Sequence, residues 1–329
     1  MSSSKRDNDR LLTGSIILIS VLGILYFGYQ AVTNSFDDEG ENPFEYNIEN
    51  FKTIDEDLLH YSELNPVHLS FERVSAITVG IDENLFVAGD KSVQKITADG
   101  SIIPFISTSG TVYCLAQDQN SDLYLGTNDH IEVYDQNGKK KTQWESLGEE
   151  AMITSIAVSD EYVFTADAGN QIVWKYDKNG NMLHRIGDED ETRDIPGFII
   201  PSPFFDVAID PEGFLWIVNT GLHSLESYNM DGSLRSSWGE SSMEIEGFCG
   251  CCNPTHIAIL NDGKFVTSEK GIARVKVYNN MYKIESVVAV PNQFTEGTEG
   301  LDLAVDSSGR IYVLDPLRKT IRIFEKTKL

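Results

Sequence analysis

The chain has 329 residues, enough for two average domains or one large all-β unit, and its 41% apolar and 10% aromatic content excludes wholesale disorder. Its 26 basic residues against 51 acidic ones leave a formal charge of −25, a surface that repels phosphate backbones and argues against a nucleic-acid partner. Four cysteines are too few for a disulfide-scaffolded mini-domain.

Residues 1–10 form a short N-terminus that holds Lys5, Arg6 and Arg10, and residues 11–32, LLTGSIILISVLGILYFGYQAV, carry no charge. At ~1.5 Å per residue that stretch spans roughly 33 Å, against a hydrocarbon core of about 30 Å. Asp37, Asp38, Glu39 and Glu41 follow it. The charge asymmetry predicts a single transmembrane helix with a cytoplasmic N-terminus and the rest on the extracytoplasmic side, periplasmic or extracellular. A cleaved signal peptide is the other reading, but the stretch is long and Ala31-Val32-Thr33 makes a poor cleavage site. Residues 33–66, acidic and without apolar periodicity, read as a stalk.

From residue 67 to 329 one pattern recurs six times. An apolar run with a small residue meets a polar turn, then a second run, a short loop, and a third run ending at a hairpin. The clearest copies begin at Val112, Ile153, Phe204 and Thr255; the first starts near Ser75 and the last at Leu301. Hairpin turns are explicit at Asp99-Gly100, Asn137-Gly138, Asn179-Gly180 and Asp231-Gly232, with Asn279-Asn280 expected in the same slot of the fifth copy. Four strands per copy at a period of about 40–50 residues predict an all-β, six-bladed propeller. The last copy has only three strands, so residues 67–71, VHLSF, are expected to supply the fourth and close the ring, since an unpaired sheet edge is a liability.

The element DVAIDPEGFLWIV over residues 206–218, repeated as DLAVDSSGRIYVL over 302–314, resembles the NHL-repeat propellers, and the resemblance covers roughly residues 67–326. It implies the six-bladed fold. It leaves activity open, because the family includes protein-binding modules and related folds include gluconolactonase-like and amidating-lyase propellers.

Both long insertions, residues 187–203 and 239–254, connect blades and so fall on one face of the ring, the usual place for binding. The position before each recurring apolar-Ala pair is Ala76, Cys114, Ser155, Asp206, His256 and Asp302. Pseudo-sixfold geometry should set these around the channel mouth. Cys114, Asp206, His256 and Asp302 are then candidate ligands for a substrate or for zinc or calcium; the alternative is that they hydrogen-bond neighbouring blades. The string GFCGCCNPTH places Cys249, Cys251 and Cys252 close to His256. In an oxidising compartment these thiols suggest a disulfide, Cys249 with Cys251 or Cys252, or one of them with Cys114; a metal or redox site is the other reading. Loop residues on the same face include His130, Asn170, His223, Lys270 and Arg318, with Glu269 beside Lys270. No G-x-S-x-G elbow, P-loop or G-x-G-x-x-G occurs.

The expected function is a membrane-anchored, monomeric propeller that binds a protein or small polar ligand at its channel mouth. The alternatives are a metal-dependent hydrolase or lyase with ions in the channel, and redox or metal handling by the three clustered cysteines. The lactonase pattern of a Glu-Asn-Asp ligand set is absent from matching strands.

Overall fold

The computed structural model describes residues 22, 23, 26, 48–188 and 197–327. Six antiparallel sheets follow one another along the chain, spanning residues 74–107, 114–143, 153–186, 207–238, 256–289 and, for the last, 302–326 with two short strands from the N-terminal side. They are blades one to six of a propeller. No helix among the described residues is long and apolar enough to cross a membrane, and the anchor expected over residues 11–32 lies outside them apart from Leu22, Gly23 and Tyr26.

Burial follows position in the blade. The second strand has sheet neighbours on both edges and blades on both faces, so Leu85–Gly89, Leu123–Gly126 and Leu215–Asn219 are buried throughout. The outermost strand Lys140–Gln143 is exposed throughout. Each junction between neighbouring blades carries its own apolar cluster; Trp216, Val218, Ile257, Phe265 and Tyr278, for example, join blades four and five. Blade junctions, not one central core, hold the ring together.

The Gly residues of the four expected hairpin turns sit at φ +83° to +88°, or +75° at Gly138. In blade five the structure corrects the expected turn by two residues. Asn279 takes the role of Asp135, accepting from Met281 N–H at 2.9 Å and Lys283 N–H at 3.2 Å, while Tyr282 fills the glycine slot at φ +62°. A tyrosine is tolerated in this left-handed conformation because its ring stacks on Trp238, 5.0 Å between centroids and 10° from parallel.

The ring closes through the N-terminal side, where Val67–His68 of the expected strand 67–71 pairs and a further strand earlier in the chain pairs as well. Tyr61–Glu63 pairs with Phe324–Lys326, and Val67–His68 pairs with Thr320 and Ile321. Pro66, which has no N–H to donate, lies between the two short strands. Leu69 and Phe71 are not ladder residues; they fill the cluster between blades six and one with Ile77, Val87, Leu314 and Ile321. Glu63 fastens the closure by a two-pronged bond to Arg322, 2.7 Å from Nε and 2.6 Å from Nη2.

Candidate functional site

The inner strand of each blade alternates its side chains between the two neighbouring blades. The first residue of the repeated motif therefore reaches toward the next blade, and this decides what the six equivalent residues do. Asp206 of blade four accepts Ile257 N–H of blade five at 2.7 Å, and Asp302 of blade six accepts Ile77 N–H of blade one at 2.7 Å. Each also accepts the N–H that follows it in its own strand, Val207 at 2.9 Å and Leu303 at 2.8 Å. Ser155 of blade three donates its hydroxyl to Asp206 and lies 3.3 Å from Val207 N–H. His256 points its Nδ1 between the two carboxylates, 3.6 Å from Asp206 and 3.5 Å from Asp302. Cys114 instead enters the apolar cluster of blades two and three beside Ile153 and Ile156.

The ring residues do converge. Tyr113, Cys114, Ser155, Asp206, His256 and Asp302 line one cavity of about 110 Å³ in the channel. Burial opposes the charge on His256, but Asp206 and Asp302 outweigh it and hold the imidazole above its ordinary pKa. Burial, with Asp206 adding to it, pushes the Asp302 carboxyl up to about 6. Burial and then Asp302 and Asp206 push the Cys114 thiol well above its usual value, so it stays protonated. His256 Nε2 has no protein partner among the described residues.

A metal ion does not fit this donor set. Every carboxylate oxygen of Asp206 and Asp302 already receives a backbone N–H. His256 Nδ1 is held between the same two groups. Among the described residues, no three His, Cys, Asp or Glu side chains are grouped to hold an ion. The zinc or calcium expected at Cys114, Asp206, His256 and Asp302 therefore has no cradle here.

Two residues that sequence reasoning missed, Phe204 and Tyr113, lie at the mouth. Phe204 sets its ring edge-on to His256 with centroids 5.9 Å apart, and Lys270 holds its ammonium 5.1 Å from the Phe204 ring. Tyr113 is exposed at the rim. Phe204 directly follows the 187–203 connector, and nothing in its local pattern separates it from an ordinary core aromatic.

The other expected contacts scatter. His130 bonds to Asp129 at 2.9 Å and Thr127 at 3.1 Å on the blade-two loop. Asn170 caps Asp167 at 2.7 Å. His223 is buried, with Nδ1 3.1 Å from the Asn253 carbonyl, and Arg318 lies exposed, 3.9 Å from Asp315. Of the five loop residues, Lys270 alone is linked to the channel residues, through Phe204, which stands edge-on to His256.

The cysteine string folds differently from the expected disulfide. All four cysteines are free. Cys249 is buried with its thiol 3.5 Å from Glu269, Cys114 is in the channel, and the sulfurs of Cys251 and Cys252 lie 3.3 Å apart. Glu269, expected on a solvated loop, is fully buried between Arg274 at 3.0 Å and Lys276 at 2.6 Å. Lys276 donates onward to the Gly247 carbonyl at 2.6 Å, and Arg274 to that of Glu244 at 3.3 Å. This buried charge cluster shapes the 240–248 part of the connector. Burial, then the neighbouring Glu269, raises the Cys249 pKa and keeps it a thiol. Asn253 fixes the remainder by bonding the Cys249 and Lys270 carbonyls and accepting Lys270 N–H at 2.9 Å.

No family model matches the chain, and no curated protein does. Solved structures do share its fold. A streptogramin B lyase is 13% identical and superposes at a TM-score of 0.58 over 83% of this chain and all of its own. A gluconolactonase from Xanthomonas campestris is 13% identical at 0.60, covering 79% of this chain and 88% of its own. The WD40 propeller domain of Doa1 is 12% identical at 0.54, covering 82% and 97%. At such identities the likeness extends to the propeller fold alone. Enzymes and a WD40 propeller stand side by side among the neighbours, so the fold admits either role.

Proposed function

We propose that the chain is a membrane-tethered, extracytoplasmic propeller of NHL type, monomeric in its ring, whose channel mouth binds a polar group of a protein or small ligand. One observation carries this reading: His256, whose Nδ1 faces two carboxylates that raise its pKa, keeps Nε2 without a protein partner among the described residues, in a cavity of about 110 Å³ and with Phe204 edge-on to its ring. That volume is well below the ~300 Å³ of sites that swallow whole drug-sized ligands. It takes one group of a larger molecule. With Asp206 and Asp302 beside it the site is not electropositive, so a neutral acceptor such as an amide carbonyl or hydroxyl suits Nε2–H better than a free carboxylate. Apolar parts of the ligand would rest on Phe204 and Tyr113.

The six histidines give a compact test. With ring-labelled histidine in the full chain, N-methylacetamide should shift the His256 signal saturably and leave the other five unmoved. A response absent at His256, or equal at all six, ends the reading. A second reading, acid–base catalysis of a lyase or hydrolase type, is supported by the raised pKa values of His256 and Asp302 in one cavity. It requires bond cleavage that is lost in His256→Gln while N-methylacetamide binding is merely weakened.

A further inference from the structure

We infer that Cys251 and Cys252 form a dithiol–disulfide exchange site on the connector between blades four and five. The pair lies outside the channel cavity, and this inference does not depend on the reading of the channel mouth. Three observations assign the partners. The two sulfurs are 3.3 Å apart, so a modest closure brings them to the ~2.05 Å of a bond. Cys251 is exposed while Cys252 is buried, which gives the pair one sulfur that meets an incoming reagent and one that is shielded from it. Cys249, the third thiol of the string, is engaged by Glu269 at 3.5 Å and kept protonated by burial and that carboxylate, so it is neither attacker nor partner.

The loop is preorganised for the exchange. Gly250 takes φ +78°, and the Asn253 side chain ties the Cys249 carbonyl and the Lys270 backbone. Adjacent residues have Cα atoms only about 3.8 Å apart, shorter than the ~4.4–6.8 Å of relaxed disulfides. A bond between them is therefore strained and readily reduced, which marks a reversible site rather than a structural staple.

The oxidant is a disulfide-bearing molecule, RSSR. Cys251 loses its proton to solvent and attacks one sulfur of RSSR, forming a mixed disulfide and expelling RS⁻, which takes up a proton. Cys252 then loses its proton and attacks the Cys251 sulfur, expelling the second RS⁻, which is likewise protonated. In sum, two cysteine thiols and RSSR become the Cys251–Cys252 disulfide and two RSH; the cysteines are oxidised and RSSR is reduced.

The full chain is equilibrated in glutathione buffers of rising oxidised fraction, quenched in acid, alkylated while denatured and digested with trypsin. Residues 236–264 form one peptide that carries all three thiols. Wild type should pass from three alkylated thiols to one, and fragmentation should place the survivor at Cys249. Cys252→Ser should retain a glutathione adduct on Cys251, trapping the intermediate, and Cys251→Ser should keep both remaining thiols free. Three alkylated thiols at every ratio, or a survivor other than Cys249 in wild type, overturns the assignment without reliance on any variant.

Discussion

Replacing Asp302 by asparagine isolates the charge in the inner ring. Burial first, then Asp206, lifts this carboxyl from 3.8 to about 6, a rise that corresponds to about 3 kcal/mol of preference for the protonated form in the folded chain. His256 is likewise held above its ordinary value, burial opposing and the two carboxylates prevailing. Both groups bind protons more firmly folded than unfolded. The stability that Asp302 contributes is thus complete below about pH 4 and is lost as pH rises through about 6; that of His256 is lost at higher pH, as its own raised value is passed. Asparagine cannot ionise, and it leaves His256 with one anion instead of two. It also offers a single acceptor oxygen to the two backbone N–H groups, Ile77 and Leu303, that Asp302 satisfies, so one goes unpaired at about 1–3 kcal/mol. The variant should be less stable than wild type by that amount at pH 4.5. Between pH 4.5 and 7.5 wild type should lose about 2 kcal/mol more than the variant, so the two curves converge. Urea unfolding of the full chain, followed by tryptophan fluorescence at half-unit pH steps, measures both. Parallel curves would refute the assignment of the ring's pH dependence to Asp302.

Glu63→Ala should strand the Arg322 guanidinium, whose side chain is 3% exposed against 29% for Glu63, and lower stability by about 1–3 kcal/mol in thermal melts. Glu269→Gln should leave Arg274 and Lys276 buried without their anion, cost about 3–5 kcal/mol, and open the 240–254 connector to limited proteolysis before the blades unfold. A chain starting at Phe36 should melt like the full chain, whereas one starting at Glu72 loses both closing strands with Leu69 and Phe71 and should melt earlier and less cooperatively. Equal melting of the two truncations would show that closure does not depend on the N-terminal side.

The blades were legible because each repeats the same punctuation: an aspartate or asparagine that caps a turn, and a glycine at positive φ two or three residues later. Where the glycine slot holds Tyr282, local turn chemistry points two residues too early, and only the Trp238 stack explains the tolerance. Val67–His68 was legible as closing strand, but Tyr61–Glu63 was not, because it carries no apolar alternation of its own; its place comes from Arg322, a residue far along the chain. Glu269 is expected among the loop charges of the channel-mouth face, and nothing local says that it meets Arg274 and Lys276 under the connector's backbone carbonyls.

The ring shows the limit of repeat alignment most clearly. Equivalent positions in six copies must lie at equivalent places, and Asp206, His256 and Asp302 do meet in one cavity. Alignment gives position but not direction, and the inner strand turns each of these side chains toward the next blade. The same carboxylates that look like ligands are therefore spent on Ile257 and Ile77 N–H groups, stitching blade four to five and six to one. Cys114, with no such partner, packs as an apolar side chain. What the described residues leave over for a ligand here is Nε2 of His256, whose ring binds its proton more firmly because of the two carboxylates that the blades have already claimed.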